Sequence, residues 1–287
     1  MKQRYVEIVK SCRGKKFRRK VGIRHRTFRG IVKQVSAYLA EKGRRNPLSR
    51  RGKKSRALTL EEKLLLTFVY LRHYPTFDEL GAMFGISEGY ANKLYHQYLD
   101  MLVKVLRLPG KKALLNGEFE AIILDVTEQP MERPTKKQRQ FYSGKKKRHT
   151  IKAQLIICAT TLQILLVVCG KGRTHDFKLL KRSKLKILAR IKKYADSGYQ
   201  GIGKLYANSQ TPHKKPKGGS LTKAQKAENR KLAALRIPIE HVNRRCKIFR
   251  IVKETYRGKH KNYHKTWAVV AALVNLRYDQ NAQNQED

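Results

Sequence analysis

Acidic residues are scarce in this chain of 287 residues, where 21 Asp and Glu face 66 Lys and Arg for a formal net charge of +45 and an isoelectric point near 10.5. Such an imbalance points to a polyanionic partner. Cysteine is also sparse: Cys12, Cys158, Cys169 and Cys246 lie far apart and form no Cys-x-x-Cys pair, so neither a zinc site nor a disulfide framework is indicated. The opening "MKQRYVEIVKSCRGKKFRRK" lacks the apolar core of a signal peptide, so a cytoplasmic, nucleoid-associated location is expected. No long apolar run is present either. The longest, Gln154 to Cys169, carries Thr160, Thr161 and Gln163 in its middle, which suits two strands joined by a turn better than a membrane span. Internal repeats are absent.

What remains is enough for folded domains: 40% of the chain is apolar, and its length suits one large domain and a smaller one. Composition divides it in three. Residues 1–56 hold 21 basic and 2 acidic residues and read as a basic N-terminal arm whose phosphate contacts would be strongly salt-dependent, broken by one helical piece, Gly30 to Lys42. Residues 57–110 carry 5 basic against 6 acidic residues, with apolar residues at helical spacing broken by Pro75 and Gly85. Three helices fit. Thr76 is placed to cap a helix running to Phe84, Gly85 and Ile86 to make a turn, and Ser87 to cap a helix from Glu88 to Leu99, a helix-turn-helix layout. On its second helix Asn92, Lys93, His96 and Gln97 are the side chains that could reach DNA bases; a packing or dimerisation role is the alternative.

Residues 111–287 begin with strands. "AIILDV" (Ala121 to Val126), "HTIKAQLIICA" and "QILLVVCG" read as strands, the last two antiparallel, and "THDFKLLKRSKLKIL" as a helix opened by Thr174. "IKKYADSGYQG" follows as a strand, then helices from Leu221 to Leu235 and from about Ile237 to Lys253, so the fold class is α/β. The terminal "YDQNAQNQED" is polar and expected to fray.

Three of the 13 acids in this region stand where side chains of different elements could converge: Asp125 and Asp196 at strand ends and Glu240 early on a helix after Pro238. Such a set can hold Mg²⁺ or Mn²⁺, which prefer oxygen ligands, and two ions about 4 Å apart serve phosphoryl transfer. Each acid also has a plain structural reading, with Asp196 capping a turn and Glu240 pairing with Arg236 or Arg244 along its helix.

The segments "LDVTEQPMERP", "YSGKKKRHTIKAQLI", "GRTHDFKLL", "ADSGYQG" and "RIPIEHVNRRCKIFR" occur in an order that resembles bacterial insertion-sequence transposases of the Asp-Asp-Glu (DDE) superfamily, in the insertion-sequence-five group, over roughly Leu58 to Tyr256. The resemblance implies a ribonuclease-H-like catalytic domain over 111–287 behind the helix-turn-helix domain. Asp125, Asp196 and Glu240 would be its catalytic, metal-holding triad. The Arg four positions before the Glu and the Lys seven positions after it occur as Arg236 and Lys247, whereas Ala233 stands where a Tyr is often found. The implied activity is cleavage at the element ends by metal-activated water, then joining of the 3′-hydroxyl to target DNA, without a covalent protein intermediate.

DNA-backbone contacts are expected from Lys145, Lys146, Lys147 and Arg148 in a turn, from Lys214, Lys215 and Lys217 in a basic loop, and from Arg236, Arg244 and Lys247 on the Glu240 helix. His175 and Asp176 read as the start of a helix, and His149 as dispensable to metal-water chemistry. The partners implied are double-stranded DNA, as terminal inverted repeats and target site, and a second copy of the chain in a homodimer or higher assembly. Two other readings use the same residues: a DNA-binding regulator with an inactive nuclease fold, and a domesticated nuclease that cuts without joining.

Overall fold

A computed structural model describes residues 5–45, 58–117 and 119–283. The chain forms two compact units, one of Met1–Arg107 with Ile248–Ile251 and one of Leu108–Lys247 with Val252–Asp287.

The first unit is helical, with α1 (Tyr5–Ser11), α2 (Gly14–Val21), α3 (His25–Arg45), α4 (Leu60–His73), α5 (Phe77–Phe84) and α6 (Glu88–Val105). It corrects the expectation of a basic arm. Val6 and Val9, Phe17 and Val21, and Phe28, Ile31 and Val35 recur at helical spacing and are buried. The Phe28 ring lies 5.6 Å from Phe17 and 5.8 Å from Phe68 of α4. The cations Lys15, Lys16, Arg18 and Arg19 occupy the exposed positions of α2, so the high charge hid an amphipathic pattern. Residues 46–57, which include most of "RRNPLSRRGKKSR", lie outside the described residues.

The helix-turn-helix reading holds in detail. Thr76 and Glu79 form a capping box at the start of α5, and Ser87 Oγ accepts from the Tyr90 amide at 3.3 Å to open α6. Gly85 ends α5 at φ +68°, the left-handed region open to glycine, and α6 runs on to Val105. The turn closes against Gly81, where an added Cβ would stand 2.7 Å from the Ile86 carbonyl oxygen. Gly81→Ala is therefore expected to destabilise this unit by about 1–3 kcal/mol. At an open helical position the same change stabilises by about 1 kcal/mol. A thermal melt followed by circular dichroism separates the two cases, and a raised melting temperature would refute the close approach.

The second unit is built on a six-stranded sheet: β1 (Ala121–Pro130), β2 (Tyr142–Ser143), β3 (Arg148–Cys158), β4 (Ile164–Lys171), β5 (Lys192–Ala195) and β6 (Ser209–Gln210). β3 pairs antiparallel with β1 on one side and with β4 and β2 on the other, while β5 runs parallel to β1 and β6 parallel to β5. One face carries Ile122 and Leu124 with Leu114 of α7 (Gly110–Asn116) and Leu180 of α9 (Asp176–Ser183), with the short helix α8 (Gln138–Phe141) beside β2. The other face meets α10 (Lys223–Cys246) and α11 (His260–Gln283), where Asn275 exchanges two 2.8 Å hydrogen bonds with the Ile164 backbone. Strands, helices and their order agree with the α/β, ribonuclease-H-like expectation.

Four local expectations are corrected. β1 runs to Pro130, past Val126. α9 starts at Asp176, with His175 rather than Thr174 in the N-cap position, and ends at Ser183. Leu221–Leu235 and Ile237–Lys253 are not two helices: α10 is continuous through Pro238. Proline lacks the amide that would donate to Ala234, and it is tolerated because Thr222 and Gln225 box the N-terminus while Ile239, Val242 and Cys246 are buried beyond it. α11 extends into the polar tail as far as Gln283, and residues 284–287 lie outside the described residues. Among the described residues no helix is long and apolar enough to cross a membrane.

Candidate active site

Strand register brings the first two acids together. Leu124 on β1 pairs with Ala195 on the parallel strand β5, so Asp125 and Asp196 follow at the same level on neighbouring strands, about 5 Å apart in backbone. β5 ends there because the chain turns into a 3₁₀ turn, Ser197–Tyr199, that Asp196 caps by accepting from the Gly198 amide at 2.9 Å. The capping role read for Asp196 is thus real, and it coexists with a place in the site.

α10 supplies the third acid. Arg236, Glu240, Asn243 and Lys247 are spaced four, three and four residues apart, which puts them on one stripe of the helix. Asn243 Nδ2 donates to Asp125 Oδ2 at 2.8 Å, and an Arg236 guanidinium nitrogen stands 3.6 Å from Asp125 Oδ1. The expected pairing of Arg236 is therefore with Asp125, not with Glu240. Glu240 itself is exposed and makes no hydrogen bond or ion pair among the described residues.

Asp125, Asp196 and Glu240 line one cavity of about 620 Å³, together with Lys145, Lys146, Lys214 and Lys247. Lys147, Arg148, Lys215 and Arg244 do not line it; Lys147 occupies the turn at φ +52°, and Arg244 points to His241, 3.4 Å away. Asn92 and Lys93 are exposed on α6 in the other unit. His149 packs edge-on against Tyr142, and His175 borders the cavity. Six Lys and Arg side chains, with Arg173 and Lys152 beside the four above, line the cavity together with its acids, which suits a polyanion whose phosphate is to be approached by something positive.

Asp125 is held at about 6, well above an ordinary carboxylate, first by burial and then by the Glu240 charge, with Asp196 adding to the rise and Arg236 opposing it. Carboxylates crowded in this way fit hard divalent cations, whose charge would relieve the repulsion and whose preferred donors are oxygens. Two further observations agree. A Cβ on Gly198 would stand 2.9 Å from Asp176 Oδ2 and 3.0 Å from Asp196 Oδ1, so only glycine leaves that space open between two acids. Asn243 Oδ1, in a side chain only 5% exposed, has no hydrogen-bond partner among the described residues. The acids share the cavity without forming a closed cage: among the described residues no three His, Cys, Asp or Glu side chains are drawn together tightly enough for one ion.

Sequence reasoning missed Asn243, Gly198 and the ion pair of Lys152 with Asp176, 2.8 Å apart on the cavity wall. Asn243 was accessible, since it lies three residues beyond Glu240 and seven beyond Arg236. The Lys152–Asp176 contact joins β3 to α9 and leaves no local trace.

Comparison with known proteins places the chain in a family. Residues 124–275 match the family described as DDE superfamily endonuclease, and residues 56–108 the helix-turn-helix of DDE superfamily endonuclease. The chain is 41% identical over 274 residues to a protein of Microchaete diplosiphon assigned as the transposase for insertion sequence element IS702, covering 94% of this chain and 97% of that one. A protein of Streptomyces albus G assigned as the transposase for element IS112 is 28% identical over 225 residues, 77% of this chain and 81% of the other. No solved structure matches. With the family's endonuclease and helix-turn-helix segments matched in order at residues 124–275 and 56–108, and a transposase relative 41% identical over 94% of the chain, the chain belongs to the DDE superfamily of endonucleases, enzymes that act on DNA.

Proposed function

We propose that the protein is the transposase of an insertion sequence of the insertion-sequence-five group, which binds the element's terminal repeats, hydrolyses a phosphodiester at each end and joins the freed 3′-hydroxyl to target DNA. The observation that carries this reading is the convergence of Asp125, Asp196 and Glu240 on one cavity rimmed by Lys145, Lys146, Lys214 and Lys247. Asp125, Asp196 and Glu240 would hold Mg²⁺ or Mn²⁺, two ions in all. Such ions, when bound, supply Lewis-acid stabilisation to the attacking and leaving oxygens of an in-line displacement.

The protein's own groups do the rest. Asn243 and Arg236 fix both oxygens of Asp125, so that its orientation does not depend on the ligand. The rim lysines take non-bridging phosphate oxygens and seat the backbone, with Lys147, Arg148, Lys215 and Arg244 continuing the contact outside the cavity. Asn92 and Lys93 on α6 face the bases of the terminal repeat. Both element ends must be cut in one event, so the working form is a homodimer or higher assembly on double-stranded DNA, in the cytoplasm and on the nucleoid. Intact acids at all three positions do not favour the regulator.

The test uses the full chain and a labelled duplex carrying the element ends from the flanks of its gene. Mg²⁺-dependent nicks with 3′-hydroxyl termini, followed by joined products when target DNA is added, are expected. Binding without any cut in Mg²⁺ or Mn²⁺ would overturn the enzyme reading, and cutting without joining would move it to the nuclease.

A further inference from the structure

We propose that Asp176 is a fourth carboxylate of this site, oriented by Lys152 so that one of its oxygens stands beside Asp196 and shares in binding the divalent cation there; the inference rests on the metal-dependent reading above.

Asp176 opens α9, a position where an acid ordinarily serves the helix dipole. Its contacts are different. Oδ1 accepts from Lys152 Nζ at 2.8 Å, and the same ammonium donates to the Thr174 carbonyl at 2.9 Å. Oδ2 faces Gly198, at the point where Asp196 Oδ1 also arrives, and neither oxygen accepts from an amide of α9 among the described residues. The pair is mostly covered, with side chains 12% and 24% exposed, so its orientation is set by the fold and not by solvent.

Lys152 lies opposite Glu128 in the β1–β3 register, and Glu128 is engaged by the Thr150 hydroxyl at 2.5 Å. Lys152 is therefore directed to Asp176. Lys152 offsets Asp176 and Arg236 stands against Asp125, while Asp196 and Glu240 make no ion pair among the described residues. Burial, and after it the charges of Asp125, Asp176 and Asp196, push the Tyr199 phenol well above its ordinary value, with Arg236 opposing them. Independently of the acids, Asn243 is among the residues lining the same cavity, and its buried Oδ1 has no hydrogen-bond partner among the described residues, an acceptor left to be satisfied. A carboxylate held by a lysine on one oxygen, with the other left beside Asp196, is preorganised for a cation that Asp196 also touches.

The experiment measures Mn²⁺ binding to the full chain by titration calorimetry, with the melting temperature of each variant in metal-free buffer. For Asp176→Asn the expected result is a tenfold to hundredfold loss of Mn²⁺ affinity with the melting temperature nearly unchanged, and for Asp176→Glu recovery of most of that loss. Asp176→Ser stands in if the Asn variant does not fold. Unchanged Mn²⁺ affinity in folded Asp176→Asn, while Asp125→Asn loses it, would overturn the role of Asp176 and leave the metal-dependent reading intact. Failure of the wild-type chain to bind Mn²⁺, or full binding by Asp125→Asn, would overturn both.

Discussion

Asp125→Asn is expected to abolish cleavage of element-end DNA, a loss of at least about a thousandfold on the scale of removing one preorganised electrostatic group from an active site. The substitution is isosteric, so the 2.8 Å contact with Asn243 can be kept after an amide flip, while the charge that would hold a cation is gone. Folding should not suffer. An acid whose pKa is raised to about 6 by burial and by Glu240 costs stability where it is ionised, above that value, and the cost disappears as the pH falls below it. Loss of the Arg236 contact works in the opposite direction, at 3.6 Å and with side chains 17% and 13% exposed. At pH 8, without metal, the melting temperature of the variant should therefore match or exceed that of wild type, and salt-dependent DNA binding should persist. Asp196→Asn and Glu240→Gln are expected to be equally inactive, and Asp196→Asn should also weaken the cap on Gly198. Retained cleavage by any of the three would remove that residue from the site.

Deleting residues 1–56 is expected to unfold the helical unit and not merely to weaken DNA binding. Eight buried apolar side chains leave with the segment: Val6, Val9, Phe17, Val21, Ile23, Phe28, Ile31 and Val35. At roughly 1.5–3 kcal/mol for each, their loss amounts to roughly 12–24 kcal/mol, as large as or larger than the roughly 5–15 kcal/mol that stabilises a typical domain. Phe68 of α4 would lose the ring of Phe28. Circular dichroism melts of the deleted chain should show the helical transition missing, and a surviving cooperative transition would mean that α4–α6 form a core of their own.

The electrostatic role of the same segment is better probed with its core intact. Changing Lys15, Lys16, Arg18 and Arg19 to Gln should weaken binding equally on unrelated duplexes. The slope of log affinity against log salt should fall by about 0.9 for each phosphate contact removed. An unaltered slope would show that α2 does not touch the DNA backbone.

Much of the site was legible because its parts are local. Asp125 closes a run of buried β-formers, Asp196 precedes Ser-Gly, and Arg236, Glu240 and Lys247 repeat at helical spacing; each pattern is written in neighbouring residues. The capping box at Thr76, the Gly85 turn and the Ser87 cap are equally local, and for that reason the helix-turn-helix was placed to the residue at the turn. Charge misled where it outweighed pattern: exposed cations on α2 hid the spacing of Phe17 and Val21, so a folded segment read as an arm. Pro238 misled in the other direction, since its local cost suggested a break that anchoring on both sides of it overrides.

The sequence by itself determined the α/β class, the family and its helix-turn-helix, and it singled out three acids that meet at one cavity. Only the tertiary structure decided which groups hold those acids. Register between β1 and β5 sets Asp125 beside Asp196, α10 brings Asn243 and Arg236 onto Asp125 from more than a hundred residues away, and β3 delivers Lys152 to Asp176. The physical reason is that hydrogen bonds and ion pairs depend on distance in space to within a fraction of an ångström, which pairing of distant strands and helices fixes and residue spacing along the chain does not.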